Sequence, residues 1–341
     1  MADVAHIVSD VRDRGHAALR HWAVELDGVE PARAVADADG LPAAALLTLA
    51  DRVRRWHELQ RPADLRLEVE PGVELERRWV PLDSVGIYVP RGLVSTLVMC
   101  AVPAQVAGVR RIAVVTPPAG AGLVAAAAER LGLAEVWAVG GPHAIAALAY
   151  GTDQIAAVDK IVGPGNAYVN EAKLLVSRDV AIDFPAGPSE VLVVLGRGGD
   201  AAAAEREVAA QAEHGAGTVC RVIDGGDLEA ALAEVDRVAP EHVVLLGNAV
   251  ALALGIRNAG AIFIGDDSPV ATGDYATGGN HVLPTGGRAR STGGLGLEAF
   301  LKPITSQRLT RYGLDLVRPV VEALAEVEGM PAHAEAVRRP R

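Results

Sequence analysis

The chain has 341 residues, 50% of them hydrophobic, 22% charged and only 4% aromatic, with a formal net charge of −11 at pH 7. That length allows a sizeable core in two or more domains, while the acidic balance excludes a protein built to hold phosphate backbones or anionic membranes. No window offers the ~18 uncharged apolar residues of a membrane span, no basic-then-apolar leader opens the chain, and two cysteines, Cys100 and Cys220, are too few for a disulfide framework or a cysteine metal site. A cytoplasmic globular protein, with neither nucleic acid nor membrane as partner, is expected.

Apolar residues recur at helical spacing from Val4 to Leu26 and again from Ala43 to Leu59, predicting amphipathic helices joined by a connector rich in Asp, Gly and Pro. Short β-branched runs at Val85–Val89 and Ile112–Thr116 read as strands, the second followed by an Ala-rich helix over Leu123–Leu131. A strand at Val136–Val139 ends in Gly140-Gly141, and the next helix takes Ala144–Tyr150. Such alternation describes parallel βαβ units. A second set follows: strand Val191–Leu195, helix Ala201–Glu213, strand Thr218–Ile223, helix Leu228–Val238, then strands Val243–Leu246 and Ile262–Ile264. The Gly-rich stretch Ser268–Gly294 has no period, and long irregular segments of this kind are usually functional or disordered. Helix Leu314–Glu328 leads into a short basic tail. No GxGxxG follows a strand and no Walker loop occurs, so any nucleotide is held in another way.

Chemistry-bearing residues are scattered. Asp274 and His281 lie in the irregular stretch, Gln211 and His214 are three apart in a helical run, Glu241-His242 stands at the mouth of a strand, and His333 lies in the tail. A zinc ion takes about four N, O or S donors, and Gln, His and Asp side chains supply them without cysteine. Taken alone, Glu241-His242 also reads as a boundary pair satisfied by backbone groups, His281 as a turn cap, and Gly163-Pro164-Gly165-Asn166 as a tight turn.

The stretches Val139-Gly140-Gly141-Pro142-His143, Asp159-Lys160-Ile161-Val162-Gly163-Pro164-Gly165-Asn166 and Ala186-Gly187-Pro188-Ser189-Glu190-Val191 resemble the histidinol dehydrogenase family, as do Gln211–His214, Ala239–His242, Gly273–Thr285 and Glu328–His333. The resemblance spans nearly the whole chain. It implies a zinc-dependent, NAD-linked oxidation of L-histidinol to L-histidine through the aldehyde, in histidine biosynthesis. It further implies Gln211, His214, Asp274 and His333 as zinc ligands, and Glu241 and His242 as the catalytic pair. Ser189, His281 and Glu328 would contact the amino alcohol substrate together with Gln211, His214, His242, Asp274 and His333. Tyr88, His143 and Asn166 would line NAD. His333 would reach across to the other subunit of a tail-exchanged homodimer. The expected fold is α/β: two incomplete Rossmann-like domains with parallel-rich sheets, residues 1–87 with 190–290 forming one and residues 88–189 the other, on the cofactor side, plus a helical tail at 291–341.

Three departures from the family pattern bear on the substrate. The loop Arg91-Gly92-Leu93-Val94-Ser95-Thr96 is shorter than usual and carries a cation, which suits an anionic substrate group or a cofactor phosphate. His143 stands where the family commonly has Gln, and imidazole can replace one of the two hydrogen bonds of a carboxamide. Several dozen residues are missing between Arg221 and Pro240-Glu241-His242. These features leave open a paralogue that oxidises another amino alcohol or a small anionic hydroxy compound, or a non-catalytic zinc scaffold.

Overall fold

The computed structural model describes residues 3–213, 215 and 217–338; the expected ligand His214 lies outside the described residues. The chain opens with α1 (Val4–Arg14) and α2 (His16–Asp27), separated by Gly15, whose positive φ of 57° splits the predicted single helix. A two-residue strand, β1 (Ala32–Arg33), precedes α3 (Ala43–Glu58). The hairpin β2 (Leu65–Glu70) and β3 (Val73–Pro81) follows, then β4 (Ser84–Tyr88), α4 (Val94–Ala107), β5 (Arg111–Thr116), α5 (Ala121–Arg130), β6 (Val136–Ala138) and α6 (Gly141–Tyr150). Next come β7 (Lys160–Val162), α7 (Ala167–Val176) and β8 (Ala181–Ile182), and then β9 (Glu190–Leu195), α8 (Ala201–Ala212), β10 (Val219–Asp224), α9 (Leu228–Val238), β11 (His242–Leu246) and β12 (Ala261–Ile264). The chain ends with α10 (Val270–Tyr275), β13 (Leu301–Leu309), α11 (Arg311–Val327) and α12 (Pro331–Ala336).

The larger of two compact units comprises the residues up to Arg61 and Leu82–Phe300. It contains a six-stranded sheet in the order β1-β6-β5-β4-β7-β8, parallel except for β1, and a four-stranded parallel sheet in the order β10-β9-β11-β12. Both sheets carry near-continuous apolar runs because helices cover their faces. Val4, Ile7, Leu19 and Trp22 of α1 and α2 share one core with Val115, Trp137, Ile145 and Leu148. The N-terminal helices therefore belong with the first sheet, not with residues 190–290 as the expected division had it: their apolar stripe packs on α6. Burying each such aliphatic side chain contributes about 1.5–3 kcal/mol, enough to decide which sheet they cover.

The smaller unit comprises Pro62–Pro81 and the chain from Leu301 onward. Its antiparallel sheet, in the order β13-β3-β2, pairs Leu301 with Pro81 and Leu309 with Val73. The expected helical tail thus also carries a strand, and α11 covers the predicted Leu314–Glu328 helix to within a few residues at its start and one at its end. Ser268–Gly294 is not wholly irregular either: α10 lies within it and carries Asp274. Among the described residues no helix is long and apolar enough to cross a membrane.

Candidate active site

Helix α9 ends at Ala239, which takes a left-handed conformation (φ 51°), and Pro240-Glu241 then leads into β11 at His242. Ala239 is the one non-glycine residue with positive φ among the described residues, and such strain concentrates near functional sites. The two side chains that follow are held by one residue on the neighbouring strand. The Glu190 main-chain N–H donates to Glu241 Oε2 at 2.8 Å, and His242 Nδ1 donates to the Glu190 carbonyl at 2.9 Å. A carbonyl only accepts, so Nδ1 bears the proton and Nε2 is the lone-pair nitrogen of neutral His242. Glu190's own carboxylate accepts the Gly286 N–H at 3.0 Å, tying β9 to the loop that follows His281.

Glu241 and His242 are both buried, 6% and 4% exposed. Burial pushes the Glu241 carboxyl up to about 8, with negative potential from Glu190 and Asp274 adding to it, against hydrogen bonds from the Glu190 N–H and the Ser189 side chain. The carboxyl is therefore poised between acid and base near neutrality. The His242 ring lies 5.9 Å from that of Phe263, and Phe263 also abuts Gly273, where a Cβ would come within 2.8 Å of the ring. Gly273 thus lets α10 close over Phe263 and set Asp274 in the same region as the Glu-His pair.

Of the four expected metal ligands, Gln211 (2% exposed) and Asp274 (half-buried) lie in the larger unit. Helix α8 places Gln211 in its last turn, with Ala212 its final residue. Glu207 Oε2 accepts the Val270 N–H at 3.1 Å and so links α8 to the start of α10, with Gln211 and Asp274 each one turn further along. His333, on α12, and Glu328, which caps α11, belong to the smaller unit and are exposed. Among the described residues no three His, Cys, Asp or Glu side chains form a metal cluster.

The loop bearing His281 is buttressed by residues that sequence reading missed. His57, fully buried on α3, donates from Nδ1 to the Val53 carbonyl at 2.7 Å and faces Asn280 Nδ2 at 3.5 Å with its other nitrogen. Asn280 Nδ2 also donates to the Met99 carbonyl at 2.7 Å. His281 donates from Nδ1 to the Asp274 carbonyl at 3.0 Å, and Thr96, buried on α4, lies 3.4 Å from its Nε2. Thr96 follows the short loop in which Arg91 is exposed.

In the first sheet the chain runs β4, β5, β6 to one side and then crosses to β7 and β8 on the other, so the order reverses between β4 and β7. Open parallel sheets bind ligands beyond the carboxyl ends of their strands at such a reversal. Tyr88 closes β4 there, and Gly163 closes β7; a Cβ on Gly163 would sit 2.2 Å from the Tyr88 carbonyl, so only glycine permits this approach. Asn166, exposed, caps α7 by accepting the Val169 N–H at 3.0 Å. His143 is not at an open surface. It is fully buried on α6 and donates from Nε2 to Asp27 Oδ2 at 3.1 Å, and the same oxygen accepts the Gly140 N–H at 2.9 Å. Tyr88 is buried beside it, its phenol pushed up to about 12 chiefly by desolvation, with the Gly141 N–H 3.4 Å from its hydroxyl.

Comparison with known proteins gives the family. A family model described as histidinol dehydrogenase matches residues 1–225 and 218–340. The histidinol dehydrogenase of Methanothermobacter thermautotrophicus is 40% identical over 396 aligned positions that cover 99% of this chain and 93% of its own, and that of Haloarcula marismortui is 40% identical, covering 99% and 92%. A crystal structure of histidinol dehydrogenase from Elizabethkingia anophelis has a TM-score of 0.89 at 31% identity, covering 99% of this chain and 92% of that one. An alignment of 396 positions exceeds the 341 residues here, so the relative has residues that this chain lacks, and the two matched segments meet at 218–225, on β10. The chain is an enzyme of the histidinol dehydrogenase family.

Proposed function

We propose that this chain oxidises L-histidinol to L-histidine through the aldehyde, in histidine biosynthesis, with NAD as hydride acceptor and a zinc ion in the site. The observation that carries the reading is the Glu241-His242 pair, both side chains anchored on the main chain of Glu190. With its Nδ1–H committed to a carbonyl, His242 would accept the substrate hydroxyl proton at Nε2, and bound NAD would supply the hydride acceptor for the carbon-bound hydrogen. The aldehyde then adds water. Glu241, in its ionised form, would take one water proton while protonated His242 returns its proton to the aldehyde oxygen, and the hydrate would then give up hydride to a second NAD, its acid proton passing to His242 as the carboxylate forms. Ser189, hydrogen-bonded to Glu241, and His281, fixed through Asp274 and Thr96, would orient the substrate.

The donor chemistry fits zinc: Gln211 offers a buried amide and Asp274 a carboxylate, and the negative potential that Asp274 and Glu190 impose on Glu241 is one that a dication relieves. His214 and His333 would complete the set. The ion would serve as a template for the substrate's nitrogens. Tyr88 and Asn166, at the strand-order reversal, support the NAD side of the reading, with His143 acting from beneath the α6 turn. The exposed cation Arg91, in the short loop after β4, favours a second reading in which the substrate bears an anionic group.

A homodimer belongs to the same proposal. On α11, Tyr312, Leu316, Val320, Leu324 and Val327 form an exposed stripe at helical spacing, and Leu65, Leu67 and Val69 are exposed on one face of β2. Apolar faces of this extent call for a partner, and a second copy that exchanges tails would bring Glu328 and His333 to the site of its mate. Two free cysteines, one of them fully buried, accord with a cytoplasmic location.

The test is turnover by the purified, zinc-loaded chain. Two NADH per histidinol consumed is the expected result; NADH from a different alcohol and none from histidinol would overturn the substrate assignment.

A further inference from the structure

We infer that Lys173 and Asp183 are a pair of positioning residues that set the cofactor-side loop against the strand holding the catalytic dyad; the inference rests on the NAD-linked reading above. Lys173 lies on α7 among Val169, Ala172 and Val176 and is among the largest fully buried side chains of the described residues. It forms an ion pair with Asp183 in which the two side chains are 2% and 1% exposed. Such a pair loses two hydration shells, and well-packed apolar residues of the same volume are commonly no less stabilising. Stability alone therefore does not account for it.

What the pair does hold is main chain. Asp183 Oδ2 accepts the Gly163 N–H at 2.8 Å, and Lys173 Nζ donates to the Gly163 carbonyl at 2.9 Å, so both polar groups of one peptide residue are clamped. The same two side chains grip Phe184: Asp183 Oδ1 accepts its N–H at 2.7 Å, and Lys173 Nζ lies 3.5 Å from its carbonyl. Gly163 opens the Gly163-Pro164-Gly165-Asn166 loop at the strand-order reversal. Phe184 opens the connector that ends at Ser189 and Glu190, the residues bonded to Glu241 and His242. One buried ion pair thus fixes the two segments that would carry cofactor and dyad, and hydride transfer depends on their separation.

The test replaces the pair as a unit, Lys173→Met with Asp183→Asn, which leaves no buried charge unpaired, in the full chain. A folded variant with a native circular dichroism spectrum is expected to lose roughly 10–100-fold in NAD affinity by calorimetry and in kcat. NAD affinity and kcat both within about twofold of the parent would overturn the inference. Amide hydrogen exchange on the unsubstituted protein decides it even where the variant does not fold. The Gly163 and Phe184 N–H groups should exchange at least roughly 100-fold more slowly than their exposed loop neighbours, and equal rates would show that no clamp exists. If the unsubstituted protein binds no NAD, the proposed function fails, while the exchange rates still report on the clamp.

Discussion

The main-chain carbonyl of Glu190 accepts the Nδ1–H of His242 at 2.9 Å, and so the backbone of one parallel strand sets the tautomer of a side chain on the next. No side-chain substitution elsewhere removes that acceptor. The same residue's N–H bonds Glu241, which makes the alignment of β9 with β11 a condition for the proposed chemistry.

Replacing His242 with Asn removes the lone-pair nitrogen with little change in volume. Turnover should fall by roughly 10²–10⁴-fold, the contribution of a general base, while metal content by atomic absorption stays at the level of the parent. Loss of the metal instead would make His242 a ligand and reverse the roles proposed here.

Glu241 gives a pH signature in the metal-free protein. Its carboxyl stands at about 8 in the fold against a reference value of 4.5, so between those values the folded state holds a proton that the unfolded chain releases. The stabilisation is present below the lower value and is lost as pH rises through the upper one. Relative to Glu241→Gln, the chelator-treated parent should therefore become progressively less stable across that window in thermal melts and change no further above it; a constant difference would contradict the shift.

Asp27 links α2 to the first turn of α6 by accepting from His143 Nε2 and the Gly140 N–H. Burial opposes the ionised form, but these bonds outweigh it and lower the carboxyl below its usual value. Its stabilisation is thus present above the unfolded-state value and is lost as pH falls through the folded one. Asp27→Ala leaves the buried His143 donor unpaired and should cost about 1–3 kcal/mol in urea denaturation. An unchanged midpoint would show that the contact contributes nothing.

If the tail crosses between subunits, His333→Ala and Asp274→Ala homodimers should each be inactive, while unfolded and refolded mixtures regain part of the parental rate, because one site in a mixed dimer escapes both changes. A mixture as inactive as either variant would place His333 in its own subunit's site.

Much of this was legible in the sequence because it is local. The period of Val4, Ile7, Val8 and Val11 announces a helix with one buried face, and β-branched runs such as Arg111–Thr116 announce parallel strands. Helix α4 went unseen because it is apolar on every side, burying residues from Ser95 to Ala104 without interruption, and so shows no stripe. The sheet β13-β3-β2 escaped because Leu301–Leu309 pairs with a strand more than two hundred residues earlier, and strand pairing leaves no mark in either segment alone; the alternation of Leu65, Leu67 and Val69 was the available hint. A lone Lys173 inside an apolar helical run was the corresponding hint for the buried pair.

Residue types, helical period and the run of motifs are properties of neighbouring positions, and from them the chain's α/β class and its family resemblance follow. Which main-chain groups meet which side chains is a different matter. That Glu190 grips Glu241 and His242, that Asp27 meets His143 and that Asp183 meets Gly163 depends on strand order and on helices folding back over the sheets, which only packing of the whole chain decides.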